Sequence, residues 1–312
     1  MSSAIVIPSN REDSFNKWCN EWRHQLEGAT VILIEDSFDR TFEPKLDNFR
    51  HYCWRDIDHD LKDKAWIIPR KTDCVRSYGY LKAYQEGFDY IMTMDDDCYP
   101  VHDEPYWVSG HVDELNKCDS RWINTLESTK VRGVPFENTG SVPVAISHGL
   151  WTNIPDLDAV TQLTTEQTDE LGLDLYIPME KYYPMCGMNL AWKAEVTPAM
   201  YFMLMGKEYG IDRFGDIWAG LISKRIADHL GYTVHSGYPL VRHDKASNVF
   251  TNLEKEARGI GINETLWEAI DVIGFSERTW AGCYQELIDQ LNVEGEYFTK
   301  LKQAMTVWSS LF

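Results

Sequence analysis

Three short apolar runs, separated by segments of helical spacing, dominate the first hundred residues and constrain the fold more than any other feature. The runs cover residues 4–7, 30–34 and 90–94, and each has the length and composition of a buried strand. Residues 15–26 and 74–86 carry apolar side chains at helical spacing and precede Gly28 and Gly87, and Asp73 is predicted to cap the second helix. Strands that alternate with helices are joined by right-handed crossovers, which predicts an α/β fold with a mainly parallel sheet flanked by helices.

Candidate binding-site residues follow all three predicted strands. Pro8, Asp36 and the triplet Asp95, Asp96 and Asp97 lie just beyond the first, second and third runs. In open parallel sheets, ligands bind beyond the carboxyl ends of the strands. This placement therefore predicts a binding site at that edge of the sheet.

The aspartate triplet has the composition of a metal site. Alternate residues of an extended segment face the same side, so Asp95 and Asp97 are predicted to bind one cation while Asp96 points away. Carboxylate oxygens suit Mn²⁺ or Mg²⁺, and either ion can bridge the two phosphates of a nucleotide sugar. A solvated acidic turn is the alternative interpretation.

The later part of the chain has a weaker pattern. Residues 120–190 are rich in turn residues, which predicts a long irregular segment or short strands hidden within it. Residues 216–230 are predicted to form a helix that Asp216 caps and Gly231 ends, and residues 284–291 and 297–308 to form closing helices. The simplest division is a catalytic domain over residues 1–255 with a helical C-terminal appendage over residues 256–312.

The charge balance limits the possible partners. The chain has 30 basic and 49 acidic residues, a net charge of −19, which disfavours nucleic acid. An acidic protein that binds an anionic nucleotide must neutralise it locally, with a divalent cation and a few basic side chains. The seven cysteines form no CxxC pair, which favours reduced thiols in a cytoplasmic protein, and no signal peptide or membrane span is predicted.

Missing motifs narrow the function further. The sequence has no GxxxxGKS/T, no GxGxxG after the first strand, no HExxH and no GxSxG. P-loop NTPases, Rossmann dinucleotide enzymes and the corresponding hydrolase classes are therefore unsupported. An acidic motif at a strand end, as in enzymes that use nucleotide sugars, remains.

Several longer motifs carry a family resemblance. They include MDDDC at residues 94–98, SHGLW at 147–151, PMCGMNLA at 184–191, WAG at 218–220 and KASN at 245–248. With these motifs, in order along nearly the whole chain, the sequence resembles the reversibly glycosylated polypeptides, which are the plant UDP-arabinopyranose mutases and their microbial relatives.

The resemblance implies a GT-A-like fold and a metal-dependent mutase that interconverts the pyranose and furanose forms of a nucleotide-diphosphate sugar without a flavin. The substrate would be of the UDP-L-arabinose type, or GDP-mannose as in some bacterial relatives. A retaining glycosyltransferase or a self-glycosylating protein is the alternative function. By analogy with plant relatives, a homo-oligomer is also possible.

The resemblance also implies roles for individual residues. Arg132 matches the arginine that relatives glycosylate reversibly, although a phosphate or carboxylate clamp is an equal alternative. His243 would complete the metal site with Asp95 and Asp97, and Lys245 would face the diphosphate. His148 is expected either to shuttle a proton or to make a structural hydrogen bond.

The remaining candidates have structural alternatives as well. Asp216 would accept a proton or hydrogen bond from the sugar, cap its helix, or do both, and Trp218 would offer a stacking face. Arg76 is expected to bind the diphosphate, and the alternative is that it lies on a solvated helix face. Asp36 is expected to bind the base or the ribose, and the alternative is a surface acid without a ligand. Pro8 and Asp96 complete the predicted substrate-binding set.

The sequence departs from the family at positions near the expected sugar site. Thr139 stands where the plant proteins have a second important arginine, and Gly215 where they have the first of two paired acids. Arg242 and Asp244 replace a tryptophan and a serine on either side of His243. These differences leave open whether the substrate is linked to UDP or to GDP.

Overall fold

The computed structural model describes residues 1–26, 28–101, 106–126, 128–166, 172–244 and 247–312. The strands found in these ranges are β1 (Ser3–Ser9), β2 (Thr30–Glu35), β3 (Phe49–Tyr52), β4 (Tyr90–Met94), β5 (Cys98–Pro100), β6 (Cys118–Asp119), β7 (Val142–Asn153), β8 (Leu175–Ile177), β9 (Asn189–Lys193) and β10 (Thr233–His243). The helices are α1 (Glu12–Trp22), α2 (Trp54–Leu61), α3 (Val75–Gln85), α4 (Trp107–Leu115), α5 (Ala159–Thr164), α6 (Gly215–Leu230), α7 (Val249–Asp271), α8 (Trp280–Gln290) and α9 (Glu296–Ser309). Two 3₁₀ helices cover Lys62–Ile67 and Ala194–Ala199.

One mixed sheet forms the centre of the fold, with the strand order β3-β2-β1-β4-β9-β7-β10-β5. Strands β3, β2, β1 and β4 pair in parallel, and β10 pairs in parallel with β7. Strand β9 runs antiparallel between β4 and β7, so β7 and β10 point the same way as β1 to β4. The carboxyl ends of β1, β2, β4, β7 and β10 therefore meet at one edge, and the predicted α/β class, with a sheet flanked by helices, is confirmed.

Both faces of the sheet are buried, which explains the continuous apolar runs of β1 and β2. Successive side chains of a strand alternate between faces. Ala4 and Val6 pack with α3 on one side, whereas Ile5 and Ile7 pack with Phe15 and the other buried aromatics of α1 on the opposite side. Helices on both faces are the arrangement expected for parallel strands.

The element boundaries differ from the sequence-based predictions in three places. Helix α1 ends at Trp22, before the predicted Leu26. The residue that precedes α3 at its cap is Cys74, so the prediction that Asp73 caps this helix is wrong; its carboxylate pairs with Arg76 instead. The segment 120–190 contains the long central strand β7, where the sequence predicts at most short hidden strands.

The C-terminal helices pack on the same body as the sheet. Helices α6, α8 and α9 contribute to the core cluster that also contains β1 and β2 residues. The predicted division at residue 255 falls inside α7, and the separation into a domain and an appendage stays a prediction. All seven cysteines are free thiols. Within the described residues, no helix combines the length and apolar character needed to cross a membrane.

Candidate active site

Two adjoining pockets open at the carboxyl edge of the sheet. The acidic pocket, with a volume of about 400 Å³, is lined by residues at or just beyond the ends of β1, β2, β4 and β10, among them Pro8, Asp36, Asp96, Asp97 and His243. The aromatic pocket, of about 380 Å³, is lined among others by His148, Trp151, Tyr183, Phe214 and Asp216. Four residues line both pockets: Asp73, Asp95, Asp156 and Arg213. Pockets therefore lie at the edge where the strand ends predict a binding site, and they extend further than the sequence indicated.

The acidic pocket carries a surplus of carboxylates. Among its described lining residues are seven aspartates, namely Asp36, Asp73, Asp95, Asp96, Asp97, Asp156 and Asp212. The basic residues in the described part of the lining are four: Arg11, Lys71, Arg213 and Lys255. An anionic ligand would be repelled by such a lining unless additional positive charge accompanied it.

The aspartate triplet lies in a turn, which changes the interpretation of its side chains. The backbone N–H of Cys98 donates to the carbonyl of Asp95, N to O 3.2 Å, so residues 95–98 form a turn rather than an extended segment. The alternation argument that placed Asp95 and Asp97 on one side is therefore wrong. Asp96 accepts a hydrogen bond from the Ser9 hydroxyl at 2.5 Å and pairs with Arg11, whose Nη2 also lies 3.6 Å from Asp97 Oδ2.

Arg76 is the buried hub between the pockets. Its Nη2 donates to Asp95 Oδ1 at 2.5 Å and also pairs with Asp73, and its Nη1 donates to Thr93 at 3.0 Å and to the Gly187 carbonyl at 2.7 Å. Burial opposes ionisation of Asp95, but the charge and hydrogen bond of Arg76 outweigh it and lower the pKa of this carboxyl group. Arg76 thus holds two carboxylates in place, and its predicted solvated helix face is excluded.

Two carboxylates beside this hub have raised pKa values. Burial, reinforced by Asp216 and Asp95 and opposed by Arg76, raises the pKa of Asp73 to about 7. Burial also raises the pKa of Asp216 to about 6, helped by the charge of Asp156 and opposed by the amide of Gly187. Groups that titrate near neutral pH within a pocket are suited to proton transfer.

Asp216 lines the aromatic pocket from the first turn of α6 but does not cap that helix. The cap residue is Phe214, and Asp216 Oδ1 accepts from the amide of Ile217, N to O 2.9 Å. The capping role predicted for Asp216 is therefore wrong, whereas its position in a pocket agrees with the alternative role.

Trp218 does not face the site. Its side chain is fully buried, and its Nε1 donates to Asn263 Oδ1 at 3.0 Å while the ring packs on Phe214 and Phe298. Each residue advances about 100° around a helix, so Trp218 points away from the face that Asp216 presents to the pocket. The predicted stacking face is thus a core side chain.

Arg132 lies outside the two pockets. It is not buried, belongs to the segment between β6 and β7, and is not among the residues that line either pocket. The structure brings Arg132 into neither pocket. Its predicted role, covalent capture of the sugar or a phosphate or carboxylate clamp, therefore stays a prediction. Lys245, which was predicted to face the diphosphate, falls outside the described residues.

His148 and Asp36 both lie in the pockets with defined partners. His148 Nδ1 is 2.9 Å from the Tyr183 hydroxyl, and burial lowers the pKa of this imidazole to about 4, so the ring is neutral at pH 7. Asp36 Oδ1 accepts from the Trp54 indole at 2.7 Å and from the Lys71 amide at 3.0 Å. Asp36 is therefore held firmly in the acidic pocket near Pro8, and burial raises its pKa.

The donor chemistry around the triplet fits a hard divalent cation, although no cage is assembled. His243 Nδ1 lies 2.9 Å from the carbonyl oxygen of Ile154, which favours the neutral tautomer that has its proton on Nδ1 and a lone pair on Nε2 for a ligand. Asp95, Asp97 and His243 all line the acidic pocket. Within the described ranges, no three His, Cys, Asp or Glu side chains are gathered closely enough to hold a metal. Asp95 accepts a hydrogen bond from Arg76 instead. Such ions commonly take only one or two carboxylates, with substrate phosphates and water completing the set.

Sequence reasoning missed Asp156, Tyr183, Cys186, Arg213 and Glu256, which all line the aromatic pocket. Cys186 donates to Asp156 Oδ2, S to O 2.6 Å, and burial together with that carboxylate raises the thiol pKa well above its usual value. Four of these residues come from loops and Glu256 lies within α7, and neither periodicity nor a strand end marks them. A signal existed for two of them, because Cys186 lies in the motif PMCGMNLA and Asp156 in NIPD at residues 153–156, both of which match the family.

Two departures from the family have visible structural consequences. A Cβ atom at Gly215 would lie 2.3 Å from the carbonyl oxygen of Phe202, so this backbone leaves no space for the acid found in relatives. Arg242 and Asp244 pair with each other, Nη2 to Oδ2 3.5 Å. Thr139 lies in the same segment as Arg132 and lines neither pocket.

Comparison with known proteins connects this site to one family. A family profile described as "Reversibly glycosylated polypeptide" matches residues 2–312. The chain is 37% identical to UDP-arabinopyranose mutase 1 of Arabidopsis thaliana, over 97% of this chain and 90% of the relative. It is 38% identical to probable UDP-arabinopyranose mutase 1 of Pisum sativum and 34% identical to UDP-arabinopyranose mutase 1 of rice (Oryza sativa subsp. japonica), in both cases over 97% of this chain and 88% of the relative.

Among solved structures, mannosyl-3-phosphoglycerate synthase from Rubrobacter xylanophilus aligns with a TM-score of 0.42 and 12% identity, over 89% of this chain and 77% of that one. The sequence relatives, in contrast, extend over almost the whole length at more than a third identity in most cases. Together with the full-length family match, they show that this chain belongs to the reversibly glycosylated polypeptide family.

Proposed function

We propose that this protein is an isomerase that interconverts the pyranose and furanose forms of a nucleotide-diphosphate sugar. The names of its relatives, UDP-arabinopyranose mutases, support the reaction class and suggest a UDP-linked sugar. One observation carries the proposal. Two pockets of similar size meet at a narrow set of shared residues, which suits a nucleoside on one side, a sugar on the other and the diphosphate between them.

The identity of the nucleotide sugar is the finer part of the proposal. UDP-arabinopyranose is the first candidate because the relatives are named for it. GDP-mannose is the second, because Gly215 and Thr139 alter positions that the family resemblance places near the sugar. Both substrates carry the same diphosphate, so the charge argument below applies equally to them.

We include a divalent cation, Mn²⁺ or Mg²⁺, in this proposal because the acidic pocket needs one. Among the described lining residues, seven aspartates outnumber four basic side chains, and this excess of negative charge would repel a diphosphate. Asp95, Asp97 and His243 are the candidate ligands, with Nε2 as the donor atom of the imidazole, and because the described residues form no three-residue cage, substrate phosphates and water would have to complete the coordination. When bound, the cation would neutralise charge on the departing diphosphate.

The proposed reaction breaks the C1–O bond to the diphosphate, opens the sugar ring and closes it through a different hydroxyl group. In arabinose, the 4-hydroxyl loses its proton on becoming the ring oxygen, the former ring oxygen gains one, and the diphosphate returns to C1. The aromatic pocket offers two groups for this proton transfer. Asp216, with a pKa of about 6, is ionised at pH 7, and the neutral His148 is hydrogen-bonded to Tyr183.

The function is tested by incubating the purified protein with UDP-arabinopyranose, UDP-galactose and GDP-mannose in Mn²⁺ and resolving the products by chromatography. Furanose product in the absence of an acceptor is the expected result. Free nucleotide released only when an acceptor is added would instead identify a retaining glycosyltransferase. A mass increase of one sugar without turnover would identify a self-glycosylating protein.

A further inference from the structure

At the junction between the two pockets, a single basic side chain lies among acidic ones in the described part of the chain. The lining residues shared by both pockets, within the described part of the chain, are three aspartates and Arg213. A diphosphate that links a nucleoside in one pocket to a sugar in the other must pass through this junction. Arg213 is therefore placed where the ligand carries most of its negative charge.

The neighbouring Arg76 has little capacity left for a ligand. Both of its terminal nitrogens are engaged, with Thr93, Gly187 and two carboxylates. Arg213 differs, because its only side-chain hydrogen bond among the described residues is from Nε to Glu256 Oε1, at 2.7 Å. Its side chain is 33% exposed and lines both pockets, and its two terminal nitrogens make no hydrogen bond to the described residues. A guanidinium fork matches the geometry of phosphate oxygens.

Glu256 fixes the orientation of this fork. Its side chain is only 4% exposed, and its second oxygen, Oε2, accepts from the amide of Ala159 at the start of α5, N to O 2.7 Å. Both carboxylate oxygens are therefore committed, one to Arg213 and one to the backbone. A side chain held in this way by a buried partner is preorganised for binding.

The backbone around Arg213 is also held in an uncommon conformation. Arg213 has φ +67°, in the left-handed region that residues other than glycine seldom adopt. Next to it, the amide of Asp212 donates to the carbonyl of Lys255, N to O 3.3 Å. The side chains of the same two residues form an ion pair, with 3.6 Å between Lys255 Nζ and Asp212 Oδ2. Two successive residues of α7, Lys255 and Glu256, thus hold Asp212 and Arg213 in place. Strained residues persist where their surroundings determine them, and they cluster at ligand sites.

We infer that Arg213 binds the diphosphate of the substrate at the junction of the two pockets and that Glu256 is its positioning residue. The inference rests on the proposed function for the identity of the ligand as a nucleoside diphosphate. The competing explanation is structural, in which the Arg213–Glu256 pair only fastens α7 to the start of α6. The two explanations differ in what they predict for phosphate recognition.

The test is calorimetric titration of the full-length protein with UDP and UMP, and in parallel with GDP and GMP, in the presence of Mn²⁺. Arg213→Met is expected to weaken binding of the diphosphate by at least about ten-fold while affinity for the monophosphate changes less than about three-fold. Arg213→Lys should recover part of the loss, as it keeps the charge but not the fork. Arg258→Met, two residues beyond Glu256 on α7 and bonded to the Tyr209 carbonyl, is the matched control and should change neither affinity.

Glu256 is tested by the ratio of the two affinities, which a purely structural role would not move. Glu256→Gln keeps an oxygen for Arg213 Nε and should lower the preference for diphosphate over monophosphate less than Glu256→Leu does. Equal weakening of UDP and UMP in Arg213→Met, or unchanged UDP binding in Arg213→Lys and Arg213→Met, would overturn the inference. Diphosphate selectivity lost in the variants while the wild-type protein makes no furanose would support Arg213 but refute the mutase proposal.

Discussion

Asp216 accepts a hydrogen bond from the backbone amide of Gly187, with 2.9 Å between N and Oδ2, at the wall of the aromatic pocket. The Gly187 carbonyl in turn accepts from Arg76, which holds Asp95 and Asp73. A single residue's backbone therefore connects the carboxylate on the sugar side to the acidic cluster at the junction. This link explains how a turn in the PMCGMNLA motif orients groups that lie far apart in sequence.

We expect turnover to depend on the ionisation of Asp216. Burial raises its pKa to about 6, so the carboxylate is protonated below this pH and cannot accept a proton from the sugar. The rate constant at saturating substrate and Mn²⁺ should fall as the pH is lowered through 6. Asp216→Asn should lose most of the rate and the pH dependence of what remains; a residual activity with the wild-type acid limb would assign that limb to another group.

The same carboxylate predicts an opposite trend in stability. A folded-state pKa raised above the unfolded value of 3.8 means that the protonated form is favoured in the folded protein. The stabilising contribution is fully present below about pH 4 and is lost as pH rises through 6. Denaturant unfolding should therefore show Asp216→Asn gaining stability relative to wild type as the pH rises from about 4 to about 6, with no further gain well above pH 6. A difference in unfolding free energy that is constant with pH would contradict the raised pKa.

Gly215 should not tolerate a side chain. A Cβ atom there would lie 2.3 Å from the Phe202 carbonyl oxygen, which belongs to the backbone and cannot rotate away. Gly215→Ala is expected to lower the free energy of unfolding by about 1–3 kcal/mol. Gly261→Ala is the control, because a Cβ atom on this exposed glycine of α7 would meet no heavy atom within 4 Å, and alanine there should be neutral or stabilising. Equal stability of the two variants would refute the steric explanation.

Trp218 should contribute to stability rather than to sugar binding. It is fully buried against Phe214 and Phe298, so Trp218→Ala removes core packing and is expected to cost about 3–5 kcal/mol in denaturant unfolding. Trp122→Ala, at a side chain that is 47% exposed, should change stability by no more than about 0.5 kcal/mol. A stable Trp218→Ala protein with weakened sugar binding would restore the stacking role.

Arg132 should not contribute to nucleotide affinity. It lines neither pocket, so Arg132→Ala is expected to leave UDP and GDP affinity in calorimetry within about two-fold of wild type. Its effect on turnover is a separate measurement, because a residue that traps the sugar during ring opening acts only after binding. A large loss of diphosphate affinity would show that the segment between β6 and β7 reaches the junction.

The parts of the fold that local sequence determines were predictable. β1, β2 and β4 are continuous apolar runs because both faces of the sheet are covered, and their parallel pairing brings the residues after them to one edge. Strand β7 was not predicted because Pro143 and Gly149 are typical turn residues, although Val142, Val144 and Ile146 alternate as in a strand. Gly149 suggested a turn but lies within that strand, where a Cβ atom would be 2.1 Å from Asn189. Its glycine reflects close packing that only the tertiary structure reveals.

The site divides in the same way. Pro8, Asp36, the aspartate triplet and His243 lie at or just beyond strand ends, and the structure brings them into one pocket. Arg213 and Glu256 reach the cleft through the contact between the start of α6 and α7, which no spacing in the sequence announces. Trp218 belonged to the matched WAG motif, but a motif does not say which face of a helix a side chain occupies.

The central claim is that a divalent cation at Asp95, Asp97 and His243 joins the acidic pocket to a sugar-bearing diphosphate. The most direct measurement is the conversion of UDP-arabinopyranose or GDP-mannose by metal-stripped protein, followed by chromatography before and after addition of Mn²⁺, with the Asp97→Ala variant in parallel. We predict no furanose from the stripped protein, restoration by Mn²⁺, and a folded Asp97→Ala protein that Mn²⁺ does not restore. Equal conversion by the wild-type protein in chelator and in Mn²⁺ would contradict the account.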